Sequence, residues 1–161
     1  MPHIVENHIL IPQIAALLKE GRSVDFTPTG NSMRPFIEGG KDTVTLRLKK
    51  EVKPGDICLA ELPPREGSDI PVFVLHRVIR VDNDKVTLQG DGNLRGTECC
   101  GRKDVLGTVE MIIKPDGRQV KPSSGRGWRY LCRPRWFWLK LYRHVCVYKT
   151  LMPLSWKQKK K

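Results

Sequence analysis

Residues 71–81, PVFVLHRVIRV, decide the fold. The stretch is dominated by β-branched and aromatic residues and lacks glycine. This composition suits a pleated, half-buried strand better than a helix. Asp82-Asn83-Asp84 supplies turn chemistry, and Lys85 to Gln89 resumes the same texture, so the two runs predict a hairpin. Alternation puts Val72, Val74, His76, Val78 and Arg80 on one side, with Phe73, Leu75, Arg77, Ile79 and Val81 on the other.

The same period of two extends upstream. In residues 42–48 it puts Val44, Leu46 and Leu48 opposite Thr43, Thr45 and Arg47, and Ser23 to Thr27 alternates as well. Lys53-Pro54-Gly55-Asp56 reads as a turn into a strand from Ile57 to Leu62, followed by a loop at residues 63–68. Downstream, residues 90–102 read as a long glycine-containing loop. Val105 to Lys114 forms a last strand ended by Pro115-Asp116-Gly117. Six or seven short strands joined by tight turns predict a mostly β barrel or sandwich. One short amphipathic helix precedes them, built on Ile14, Ala15, Leu17 and Leu18, with Pro12 in its first turn and Gly21 at its stop.

The expected organisation is an N-terminal helix in residues 1–22, a β domain in 23–120, a linker in 121–127 (KPSSGRG for 121–127) and a basic aromatic tail in 128–161. Of the 161 residues, 29 are Lys or Arg, and the formal net charge is +12. Eleven of those cations lie from Arg126 onward with no Asp or Glu. The first 125 residues therefore carry 18 basic against 17 acidic groups and are almost neutral. The tail also holds all four tryptophans, and a helix between Pro134 and Pro153 would set Lys140, Arg143 and His144 against Trp138, Leu141, Tyr142 and Val145. Such a tail suits an anionic membrane surface, where indoles settle at the headgroups and cations meet lipid phosphate. Stacking on single-stranded nucleic acid is the weaker reading, and packing on the body is the bland one.

Five cysteines, Cys58, Cys99, Cys100, Cys132 and Cys146, make an odd number with no zinc-type spacing. They predict reduced thiols, no metal and no cofactor. Residues 1–20 have neither the basic start nor the uninterrupted apolar run of a signal peptide or membrane span. The expected location is therefore cytoplasmic or peripheral to a membrane.

One short segment carries the chemistry: Gly30-Asn31-Ser32-Met33-Arg34-Pro35. A serine hydroxyl is a poor nucleophile until a base takes its proton and donors receive an oxyanion. Candidates for the base are few: His3 and His8 lie at the extreme N-terminus, His144 in the tail, and His76 inside the hairpin strand. Taken singly, a histidine in an apolar strand is commonly a packing residue and a serine after glycine a turn residue.

Further blocks follow in order: Lys53-Pro54-Gly55-Asp56-Ile57, His76-Arg77-Val78, Gly90-Asp91-Gly92-Asn93 and Asp104-Val105-Leu106-Gly107. With the serine segment, over residues 24–113, they resemble the signal peptidase I / LexA superfamily of serine peptidases. The resemblance implies a coiled β-barrel catalytic domain. Histidine, where the bacterial branches place lysine, looks like the endoplasmic-reticulum and archaeal signal peptidases. It implies Ser32 as nucleophile, His76 as general base and Asp91 as the acid behind the base, with Glu98 and Asp104 as alternatives. The Ser32 N–H is the expected oxyanion donor. Gly30 stands where some relatives place a second, hydroxyl donor, and Asn31 is the candidate substitute. Met33 and Pro35 would flank a substrate groove that prefers small side chains beside the scissile bond.

The expected function is cleavage of a signal, leader or pro-peptide from a peptide or preprotein substrate. A catalytically inactive β domain working through its tail is the alternative from another class. A repressor-type autoprotease is the lesser alternative, because only about thirty residues precede Ser32 and no Ala-Gly linker step is present.

Overall fold

A computed structural model describes residues 7–64, 66–93 and 96–123, together with Leu141 and His144. The chain divides into two units, Met1–Ser124 and Gly125–Lys161. The first unit is mostly β: one short N-terminal helix and a curled antiparallel sheet. In the second, Leu141 and His144 are helical; the rest of the basic aromatic tail and its expected helix lie outside the described residues.

Helix α1 runs Asn7–Lys19 and buries Ile11, Ile14 and Leu18, spaced three and four apart on one face. It starts earlier than proline chemistry predicts, since Pro12 sits inside it instead of in its first turn. A proline there forgoes the bond to the His8 carbonyl, a cost of roughly 3 kcal/mol in a helix interior. Pro12 is on the exposed side, and the buried stripe outweighs the local penalty. The stop is as expected. Gly21, at φ +82°, donates its N–H to the Leu18 carbonyl while Arg22 donates to Leu17, the pairing that closes a helix through a left-handed residue.

Eight strands follow among the described residues: β1 Val24–Phe26, β2 Thr43–Arg47, β3 Ile57–Leu62, β4 Val72–Asp82, β5 Lys85–Gln89, β6 Glu98–Gly101, β7 Val105–Ile113 and β8 Gln119–Val120. Their order in the sheet is β1-β2-β7-β3-β4-β5-β6, with β8 paired to β7. Two of them correct the sequence reading. β6 lies inside the expected 90–102 loop, and β8 follows the turn expected to end the last strand. Cys and Gly give β6 little strand character of its own; pairing with β5 from Lys85↔Gly101 to Leu88↔Glu98 holds it.

The curl explains why the core has two parts. β3 is buried on both faces over Ile57–Ala60. Ile57 and Leu59 join α1, Val44, Leu46 and Ile112 in one cluster, whereas Cys58 and Ala60 join Val78, Val86, Leu88 and Cys100 in the other. A flat sheet with one wet face would leave one of those sets in water. Among the described residues no helix is long and apolar enough to cross a membrane.

Candidate active site

Ser32 sits in the connection between β1 and β2, on a turn closed by backbone bonds from Phe36 and Ile37 to the Met33 carbonyl and from Arg34 to the Asn31 carbonyl. Met33 and Ile37 are buried and anchor the turn in the first core cluster. Its far end is clamped by Lys114, whose Nζ donates to the Phe36 carbonyl at 2.9 Å and to Asp42 Oδ2 at 2.7 Å; Asp42 also accepts the Glu38 N–H. Neither member of this clamp stands out in the sequence, because a lysine and an aspartate 72 residues apart carry no local pattern.

On the other side, Gly92 donates its N–H to the Ser32 carbonyl at 2.7 Å. The 90–92 loop comes so close that a Cβ on Gly90 would lie 2.6 Å from that same oxygen. Glycine is required at this contact because no side chain fits. The backbone of Ser32 is thus held from both sides.

His76 lies on β4 opposite Cys58 of β3 and is 5% exposed. Its Nε2 is 2.9 Å from Ser32 Oγ and its Nδ1 is 3.0 Å from Glu98 Oε2. The register explains the third partner. Val78 of β4, Leu88 of β5 and Glu98 of β6 lie across from one another, and His76 precedes Val78 by two residues, on the same side of the strand. The Glu98 carboxylate therefore comes to the histidine by sheet geometry. In the tautomer with Nδ1 protonated, that N–H donates to Glu98, and the free Nε2 accepts the Ser32 O–H.

The first-choice acid is elsewhere. Asp91 accepts a bidentate bond from Arg77, with Nε to Oδ1 at 2.9 Å and Nη2 to Oδ2 at 2.7 Å. Arg77 also donates to the carbonyls of Gly55 at 2.8 Å and Ser123 at 2.6 Å, and lies over the Phe36 ring. Both members of the pair are almost fully buried. Register again supplies the reason: Arg77 pairs with Gln89, and Asp91 follows two residues later, next to the guanidinium. The third candidate, Asp104, accepts the Gly101 N–H at 2.9 Å.

Among the described residues the Ser32 N–H has no acceptor, so it remains available as a donor. Asn31 is exposed. A cleft of about 650 Å³ opens beside the pair, lined by Gly30, Ser32, Met33 and His76 together with Leu10, Ile11, Phe26, Leu59, Phe73 and Leu75. Met33 contributes to it; Pro35, half-buried after a cis peptide bond, does not. Among the described residues no group of His, Cys, Asp or Glu could hold a metal ion.

A scan against protein-family models matches none of them, and no curated protein gives a significant match.

Proposed function

We propose that the chain is a serine endopeptidase of the signal-peptidase-like type that cleaves a signal, leader or pro-peptide, with Ser32 as nucleophile, His76 as general base and Glu98 as the acid behind it. The observation that carries this reading is the continuous hydrogen-bonded line Ser32 Oγ, His76 Nε2, His76 Nδ1, Glu98 Oε2, with 2.9 Å and 3.0 Å links, at the edge of an open cleft. The order of sequence blocks and the curled antiparallel sheet support it as well.

The chemistry is acyl transfer. As Oγ bonds to the substrate carbonyl carbon, the serine proton passes to Nε2 and the carbonyl oxygen becomes an oxyanion facing the Ser32 N–H. Collapse breaks the C–N bond, and the amine leaves with the proton from Nε2. Water then attacks the ester through the same base, releasing the acid and restoring Ser32. Glu98 holds the ring tautomer and stabilises the imidazolium formed in both halves.

The test is a fluorophosphonate probe followed by peptide mapping. The adduct is expected on Ser32, lost in Ser32→Ala and strongly slowed in His76→Ala. Labelling that persists in both variants would sink the assignment.

A further inference from the structure

The cleft beside Ser32 has a wall that the catalytic residues do not require. Leu10 and Ile11 of α1 line it along with Phe26, Phe73 and Leu75 from the sheet. Among the described residues no Asp, Glu, Lys or Arg lines it, although the chain as a whole is rich in Lys and Arg. An ionised substrate group would lose its hydration there and find no counter-ion. The volume, about 650 Å³, is in the range that holds an extended group of many heavy atoms, well beyond a single methyl side chain.

We infer that α1 is the specificity element of this site: the cleft takes the uncharged, apolar acyl half of the substrate, and Leu10 sets how long that half can be. The inference rests on the hydrolase reading above and narrows its substrate class. The acyl half stays bonded to Ser32 until water attacks, so a walled apolar cleft holds it through both halves of the reaction, whereas the amine has to depart before water enters. Leu10 is the informative position. It is half-buried and lines the cleft, while its neighbour Ile11 is also a core residue at 3% exposure.

The probe is a series of 4-nitrophenyl esters with straight acyl chains from two to ten carbons. Turnover by the full-length chain is measured after subtraction of the Ser32→Ala background, and each variant is checked for an intact thermal transition. Wild type is expected to favour the longer esters in kcat/KM by roughly tenfold or more over acetate. Leu10→Trp, which fills the cleft, lowers that long-to-short ratio by roughly tenfold. Leu10→Ala opens the wall and moves the optimum to longer chains. Gln13→Trp, on the exposed side of α1 and outside the cleft, keeps the wild-type ratio.

A wild-type preference for acetate overturns the inference while leaving the hydrolase reading in place. So do ratios that stay within about twofold of wild type in both Leu10 variants. Absence of any Ser32-dependent ester turnover removes the hydrolase reading and takes the inference with it.

Discussion

His76 and Arg77 are neighbours on β4, and each takes a carboxylate from the segment that follows β5, yet the two pairs are built for opposite ends. The His76–Glu98 contact is single, at 3.0 Å, and Glu98 keeps 31% of its side-chain surface exposed. The Arg77–Asp91 contact is bidentate, with exposures of 1% and 3%. A group that accepts and returns a proton must exist in two charge states, so its partner is better left partly solvated. An arginine does not give up its proton during turnover, and its fork can be sealed in once every donor direction is used. Arg77 uses three nitrogens to tie together β4, the Gly55 turn, the 90–92 loop and Ser123. On the proposed reading one pair would handle protons, while the other fixes the loop that holds Ser32.

Exchanging the carboxylates for amides breaks the two pairs in different observables. Glu98→Gln removes the negative charge that would stabilise the imidazolium and puts an amide NH2, able to donate to Nδ1, beside the oxygen that accepts from it, so one tautomer is no longer enforced. Fluorophosphonate labelling of Ser32 is expected to slow by roughly 10²–10⁴-fold while the urea midpoint barely moves. Asp91→Asn leaves a buried guanidinium without its counter-charge, which costs roughly 3–5 kcal/mol of folding stability, read as a lower urea midpoint. Labelling per folded molecule should fall far less than in Glu98→Gln. The comparison fails if the two losses are interchanged, with Asp91→Asn silent in urea and Glu98→Gln strongly destabilised.

These differences also mark what could be read from the chain alone. Alternation in residues 42–48 and 71–81 is a local signal, and β2 and β4 form there, with Val44 and Leu46 both fully buried. The early start of α1 was hidden because Pro12 speaks against helix locally, whereas the buried Ile11, Ile14 and Leu18 stripe acts only once the sheet is present. The site divides in the same way. Ser32 and His76 stand out by residue type and by the blocks around them, and the structure brings them within hydrogen-bond distance. Which carboxylate meets which cation depends on register between strands. Glu-Cys-Cys-Gly has too little strand propensity to announce β6, so Glu98 had no position in a sheet from which to be preferred over Asp91.

The smallest expected effect tests β6 itself. Its inward side carries Glu98 and Cys100, and Cys99 points outward. Burial pushes the Cys100 thiol up to about 11, and burial drives the Cys58 thiol higher still. The thiolate is the form that reacts, so at pH 8 only roughly a thousandth of Cys100 is available to an alkylating agent even before access is considered. Peptide-resolved iodoacetamide labelling of the native chain should therefore modify Cys99 well ahead of Cys100 and Cys58. The same shift has a sign in stability: an unfolded cysteine releases its proton near 9.0 while folded Cys100 keeps it, so stability falls as pH rises from about 9 to about 11. Equal labelling of Cys99 and Cys100 in the folded protein would mean that β6 is not held against β5. The register that brings Glu98 to His76 would then be lost, and the functional half of the comparison with it.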